Sequence, residues 1–520
     1  MAWTDRGNLA ARDSVSRALP GTIDEFLVSG GDGRLALSQT LENAYGCTPF
    51  PAPGLIDFAS STASSISPQG YARARIAREE LLTASLRAGP DQACEAAVMA
   101  ARMALLNRLD LEGSGAEVVF SASGTDAQLQ TLFLVRLLHP GSLATVIAGA
   151  DQTGSGTAHT ARGRHFSQTT STGATVEKGQ VIAGLDGIES FEVGFRDAEG
   201  GFRAPAEMDD AVLAAVKQAL AGHDHVLLQA MEASKFGWKA PGDALLDEIA
   251  ARFPGRVQIV ADACQLRISR LRLEELLSKG MLVLVTGSKF FTGPAFSGAL
   301  LVPRGVAAKI ATASVPAGQL AGYATRFDWP ARWTSLRNRF SHHFNFGQWL
   351  RWEAALEEMR LYYAVPRDFR QHIAQVFCEE MQGFVGATPH LAFLEGGAEF
   401  VPAQPTIFPL RLIQDDESLS AQACADIYRA MRRDLSARAG SAQQGDLLRM
   451  ACQAGQPVAL AHGNAALRFS LSARIVRDCW SPDPACALRN IAALRDDLSI
   501  AIGKLDLLVR LYPDLQEASA

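Results

Sequence analysis

The chain lacks a strong charge of either sign: 49 Lys and Arg stand against 55 Asp and Glu, a net charge of −6, with no basic stripe. Binding to a phosphate backbone depends on Lys and Arg displacing counterions, so nucleic acid is not expected as a main partner. Long apolar runs are missing too. The longest stretch without Asp, Glu, Lys or Arg is 450–467, and it carries Gln453, Gly455, Gln456, Pro457, His462, Gly463 and Asn464, a composition no spanning helix tolerates. No membrane partner is expected. The opening MAWTDRGNLAARDS alternates charges and has no apolar stretch before a small-residue cleavage site, so the expected compartment is the cytoplasm. Cysteines are few, at 47, 94, 264, 378, 424, 452, 479 and 486, without a CxxC or a Cys/His cluster at zinc spacing. They read as reduced packing thiols, and no metal is expected. Solenoid-period repeats and low-complexity tracts are absent. No GxGxxG follows a first strand, which sets aside a dinucleotide-binding enzyme.

What is present is ordinary for a folded protein: 48% hydrophobic and 20% charged residues over 520 positions, too long for one core, so two or three domains are expected. The first 85 residues are rich in Gly, Pro and Ser and read as an irregular arm, 1–85. From 86 the pattern alternates. Apolar runs at AEVVFSASG, 142–149, 225–231, 256–263 and 281–288 read as buried strands, with helical periodicity at 92–110, TDAQLQTLFLVRLL, 207–221 and 242–252. Strand and helix in alternation imply a mainly parallel sheet covered on both faces, an α/β domain over 86–335. Residues 150–205, rich in Gly, Thr and Ser, read as a long loop with an extra hairpin. Connecting helices are expected over 336–395 and a smaller C-terminal α+β domain over 396–520, with PTIFPLRL and ALRFSLSARIV as strands.

Functional groups in such a sheet gather at the carboxyl ends of the strands. Asp262 closes the run RVQIVAD, Gln265 follows it, and Lys289 ends MLVLVTGS. A carboxylate and an amine at the ends of apolar strands are costly unless partnered, and a structural salt bridge would satisfy either one. SASGTDAQ (121–128) places a Gly turn before a helix, whose free N–H groups and dipole favour an anion. Thr286 and Ser288 add hydroxyls beside Lys289. An anion site, an Asp and a Lys together match the needs of pyridoxal phosphate (PLP): a lysine for the aldehyde, a carboxylate for the ring nitrogen and anchors for the phosphate.

VADACQ followed by TGSKFFTGPAFSGALLVP resembles the fold-type I PLP-dependent enzymes, especially the class V aminotransferase and cysteine desulfurase branch, with its D-x-x-Q element and its Lys before a Gly-Pro and a Gly-Ala-Leu strand. The resemblance covers roughly 90–305 and, more weakly, 330–480. It implies a mainly parallel seven-stranded sheet covered by helices, with a smaller C-terminal domain. Lys289 would form the Schiff base, Asp262 would meet the pyridinium nitrogen and Gln265 the phenolic oxygen. Gly124, Thr125, Thr286 and Ser288 would hold the phosphate.

Two departures stand out. The position that usually carries a ring-stacking aromatic or His falls on Gln152–Thr153, so Thr153 or His159 would serve, and Ser288 replaces the His of the desulfurases. In MEASKFG (231–237), Glu232 or Ser234 would reach the ring face. ALRFSLSARIV (466–476) resembles the small-domain strand whose Arg grips the substrate α-carboxylate, which makes Arg468 the candidate; a planar guanidinium binds a carboxylate in bidentate fashion. Cys452 falls near the place where one desulfurase group carries its persulfide thiol, although a buried packing thiol fits it as well. His342–His343 in WTSLRNRFSHHFNFG (333–347) have no companions at zinc spacing; by resemblance this segment reaches a neighbouring subunit's site, implying a homodimer with shared active sites. The arm, with SSTASSIS and Tyr71–Arg73, would cover the entrance. The expected activity is Cα carbanion chemistry on an amino acid, aminotransferase-like first. A C–S or Cβ lyase of the desulfurase type is the alternative, and a non-catalytic scaffold the remote one.

Overall fold

A computed structural model describes residues 21–315 and 320–512; residues 1–20 of the expected arm and 513–520 of the expected C-terminal domain lie outside them. The strands are β1 (Ile56–Phe58), β2 (Glu117–Ser121), β3 (Leu143–Ala148), β4 (Glu189–Val193), β5 (His225–Met231), β6 (Val257–Ala263), β7 (Leu282–Thr286), β8 (Gly298–Val302), β9 (Leu391–Phe393), β10 (Ile407–Gln414), β11 (Glu417–Ser418), β12 (Cys452–Ala459) and β13 (Ala465–Ser470). They form two sheets within a mixed α/β fold.

The larger sheet has seven strands in the order β2-β8-β7-β6-β5-β3-β4. Strands β7, β6, β5, β3 and β4 run parallel, and β8 runs antiparallel to both β2 and β7. The sheet's inner strands are apolar runs because both faces are covered, while the edge strand β4, ESFEV, is largely uncovered. Along β7, Val283 and Val285 join the core on one face while Leu282 and Leu284 join the core on the other, as the two-residue period requires. Each such side chain contributes roughly 1.5–3 kcal/mol when fully buried. Helix Gly124–Leu138 is buried at every position from Thr125 to Val135, so its buried polar side chains find partners inside the protein, such as Ser121 on Gln130 and Ser123 on Asp126.

The smaller sheet runs β1-β12-β13-β10-β11, with β9 also on β10. Strand β1 pairs parallel with β12, Ile56 opposite Cys452, so a piece of the N-terminal segment closes a sheet otherwise built from the last third of the chain. Arg351, fully buried in helix Phe346–Ala364, ties down the same segment by donating to the carbonyls of Leu27 (3.1 Å), Ser29 (2.6 Å) and Gly30 (3.1 Å).

Three expectations need correction. The N-terminal region is not irregular throughout: Pro68–Ala88 is a helix, started by Pro68 at its first turn and by Ser67, whose Oγ accepts from the Gly70 N–H at 2.9 Å. ALRFSLSARIV is not one strand. It ends as strand at Ser470, and Ser472 then caps helix Ala473–Cys479 by accepting from the Ile475 N–H. The 150–205 region is not only loop, since β4 adds to the sheet edge parallel to β3. Among the described residues, no helix is long and apolar enough to cross a membrane, and no group of three or more His, Cys, Asp or Glu is placed to hold a metal ion.

Candidate active site

The carboxyl ends of β2, β5, β6 and β7 meet at a cavity of about 280 Å³, walled on its open side by the N-terminal segment and by β12 and β13. Lys289, Asp262, Gly124, Thr125, Thr286, Ser288 and Arg468 all line it. Gln265 and Thr153 do not line it. Gln265 turns to the N-terminal segment, donating to the Ser61 carbonyl at 3.0 Å, and the Thr153 hydroxyl donates to the Ala150 carbonyl at 2.9 Å.

Asp262 ends β6 with its carboxylate buried. Its Oδ1 accepts from the Cys264 N–H at 3.0 Å and its Oδ2 from Gln128 Nε2 at 3.3 Å, while the Gln128 side-chain Oε1 accepts from Thr160 Oγ1 at 3.1 Å. No cation among the described residues forms an ion pair with it. The Cys264 thiol is pushed well above the usual thiol range by burial and by the neighbouring Asp262 charge, so it stays protonated.

Lys289 reaches into the cavity after the turn that ends β7. Its Nζ lies 3.4 Å from the Ser61 carbonyl oxygen, and burial, reinforced by the Arg468 charge, lowers its pKa to about 8. Lys235, on the loop after β5, lines the same cavity, and burial together with the Arg468 and Lys289 charges lowers it to about 8 as well.

At the opposite wall, Ser123 caps helix Gly124–Leu138 by accepting from the Asp126 N–H at 3.2 Å, which leaves the first-turn N–H groups at Gly124 and Thr125 facing an anion position. Close packing demands glycine at position 124, since a Cβ there would lie 2.9 Å from Cys264 Sγ. Arg34 sits beside this turn with Asp32 on its guanidinium and the Phe296 ring 4.8 Å beneath it. Burial raises Asp126, which accepts from the Ser123 hydroxyl, to about 6. The Thr286 hydroxyl is committed to the Cys264 carbonyl at 2.6 Å.

No family model and no curated protein matches the chain. Among solved structures it is similar to the phosphoserine aminotransferase SerC from Cytophaga hutchinsonii, with 14% identity over 85% of this chain and 97% of that one and a TM-score of 0.49. It is also similar to the cysteine desulfurase CsdA (S-sulfonic acid) from Escherichia coli, with 13% identity over 89% and 97% and a TM-score of 0.48. A third is the Oryza sativa TDC with PLP and tryptamine, with 15% identity over 85% and 84% and a TM-score of 0.47.

The residues present fit PLP on their own chemistry. Asp262 is a buried carboxylate in need of a cationic N–H, the helix start offers donors to a phosphate, and Lys289 is a lysine with a depressed pKa in the same cavity. Two buried hydroxyls of the cavity wall, Ser61 Oγ and Thr157 Oγ1, have no hydrogen-bond partner among the described residues, which suits a polar ligand.

The other candidates lie elsewhere. Glu232 pairs with Arg272 at 2.7 Å and Lys239 at 3.6 Å, on the wall of a separate cleft of about 690 Å³. The Ser234 hydroxyl donates to the buried side-chain Oε1 of Gln152, and neither Ser234 nor His159 lines the cavity. Cys452 is fully buried at the start of β12, also outside it. In the 333–347 segment, Arg337 pairs with Glu95 and His342 contacts Arg326, and Tyr71 and Arg73 of the arm stay off the cavity. Of the arm's SSTASSIS stretch, expected at the entrance, Ser61 and Thr62 line the cavity, while sequence reading missed Arg34, Gln128, Thr157 and Lys235 as site residues. For Lys235 a signal existed: it occupies the loop after β5 as Lys289 occupies the loop after β7.

Proposed function

We propose that this chain is a PLP-dependent enzyme of the fold-type I kind, in its class V aminotransferase-like branch, acting on an amino acid. The observation that supports this most is the convergence, at one cavity, of the Lys289 amine, the Asp262 carboxylate without an ion-pair partner and the helix start at Gly124–Thr125. When bound, PLP supplies an aldehyde that exchanges amines and a protonated ring that withdraws electrons from the bonds at the substrate's Cα.

The chain's own residues have distinct tasks. Asp262, oriented by the Cys264 N–H and Gln128, holds the proton on the ring nitrogen. The Gly124 and Thr125 N–H groups and the Ser288 hydroxyl bind the phosphate, while Thr286, its hydroxyl already used, contributes its methyl group to the packing of the turn. Lys289, with a pKa of about 8, would be the amine that holds the aldehyde, and it is placed to move the proton at the substrate's Cα. Gln265 acts at one remove, fixing the Ser61 carbonyl that accepts from Lys289. Ser61 and Thr62 close the entrance, and a homodimer would bring the 333–347 segment to a neighbouring site.

Aminotransfer asks least of these residues. A C–S or Cβ lyase would use the same parts, but a desulfurase would also need a thiol at the substrate, and Cys452 is buried outside the cavity. The test is to add PLP to the purified chain. A near-ultraviolet or visible band should appear, borohydride should fix a pyridoxyl group on the Lys289 peptide, and Lys289→Ala should abolish both. A chain that takes up no PLP would instead support the scaffold reading.

A further inference from the structure

A guanidinium has five N–H groups, and the structure accounts for all five on Arg468. Nε donates to the Gln456 carbonyl at 3.2 Å. Nη1 donates to the carbonyls of Ser61 and Lys235, each at 3.3 Å, and Nη2 to Thr62 Oγ1 at 2.8 Å and again to the Gln456 carbonyl at 2.9 Å. Arg468 is buried, so a substrate carboxylate would have to strip it of bonds that hold the N-terminal segment in place.

The other cations of the cavity wall divide cleanly. Arg34 is held on both oxygens of Asp32 by Nε and Nη2. Lys289 is the amine for the cofactor. Lys235 is different: it lines the cavity, and its ammonium has no hydrogen bond or ion pair among the described residues. Its main chain is pinned on both sides, the N–H donating to the Gln152 carbonyl at 3.4 Å and the carbonyl accepting from Arg468.

We infer that Lys235, not Arg468, binds the α-carboxylate of the amino acid substrate, and that Arg468 is a positioning residue that fixes the Lys235 main chain. An ammonium has three donors and none of these is spent inside the protein, so an anion entering the cavity gains charge-assisted bonds there without breaking others. The substrate class follows: amino acids with a free α-carboxylate, and not their amides or the corresponding amines. This inference rests on the PLP reading above.

The test uses the PLP-loaded enzyme. Each of the twenty common L-amino acids is titrated against the cofactor band, and the strongest responder and its α-amide are then compared in wild type, Lys235→Gln, Lys235→Arg and Arg468→Lys. Lys235→Gln should raise the half-saturating concentration of the amino acid about 10- to 100-fold, leave that of the amide within about twofold and leave PLP uptake unchanged; Lys235→Arg should recover part of the loss. Arg468→Lys should lower the melting temperature as well as raise half-saturation. A second measurement needs no cofactor and no known substrate. Cyanate carbamylates neutral lysines, and excess acetate, but not acetamide, should slow carbamylation of the Lys235 peptide several-fold. A Lys235→Gln enzyme that binds the amino acid like wild type, or acetate that gives no protection, overturns the inference. Absence of a borohydride-fixed adduct on Lys289 in wild type defeats the PLP reading instead, and the acetate result still decides whether Lys235 holds a carboxylate.

Discussion

Lys289 and Arg468 share one acceptor: the Ser61 carbonyl oxygen lies 3.4 Å from Lys289 Nζ and 3.3 Å from Arg468 Nη1. Gln265 Nε2 is a third donor at 3.0 Å. A carbonyl oxygen offers two lone pairs, so three donors crowd it, and the Lys289 bond is the longest of the three. The amine therefore gives up little when it leaves this oxygen for an aldehyde.

The depressed pKa of Lys289 sets a pH dependence. Trapping of PLP on Lys289 by borohydride should rise with pH, level off above about pH 8 and fall short of the continued rise toward 10.5 shown by surface lysines. The sign for stability follows from proton binding. Between about pH 8 and 10.5 the unfolded chain holds a proton on this lysine that the fold does not, so the folded state gains stability as pH rises through that window. Lys289→Met should be more stable than wild type near neutrality, with the difference fading toward pH 10.5. Denaturant midpoints across pH that run parallel in the two proteins would contradict this.

Arg468→Met removes five hydrogen bonds and leaves the Ser61, Lys235 and Gln456 carbonyls without that donor. Urea unfolding should show a loss of about 3–5 kcal/mol. A loss below about 1 kcal/mol would mean that the guanidinium contributes little to the closure of the N-terminal segment.

Gly298→Ala tests the packing behind the anion-binding turn. A Cβ there would fall 2.4 Å from the Ser123 carbonyl carbon and 2.9 Å from the Gly124 nitrogen, both backbone atoms that cannot swing aside. The variant should lose about 3 kcal/mol or more, or fail to fold. Gly305→Ala is the control: nothing lies within 4 Å, the residue is helical, and stability should hold or rise by up to about 1 kcal/mol.

Cys452→Ser separates the two reaction types. The thiol is fully buried, away from the cavity, and burial pushes its pKa up to about 11. Product analysis should show unchanged turnover. Lost sulfur transfer with intact PLP binding would favour the desulfurase alternative.

How much of the site was legible depended on distance along the chain. Asp262, Lys289 and the turn at Gly124–Thr125 were readable because each is a polar group at the end of an apolar strand, a local pattern. Ser61 and Thr62 were legible only as part of SSTASSIS, the stretch expected over the entrance; their individual contacts run to Arg468, 407 and 406 positions away, and no periodicity encodes such a contact. Thr153 and Gln265 were placed by resemblance, and the bonds they make to Ala150 and Ser61 turn on backbone geometry that spacing does not reveal. The helix at Pro68–Ala88 was hidden by its Ser- and Gly-rich approach, although Ser67-Pro68 is itself a start signal. The strand reading of ALRFSLSARIV overran because Ser472 can cap a helix as readily as it can sit in a strand.

The pairing of Ile56 with Cys452 has a consequence for biosynthesis. As the nascent chain leaves the ribosome, its early segment has no edge to dock on until β12 emerges, with Cys452 396 positions after Ile56. During that interval β1 and the Ser61 loop must stay clear of wrong partners, so the cavity is completed only once β12 is made, and slow closure or a chaperone's grip on the early segment would delay the moment the protein becomes competent.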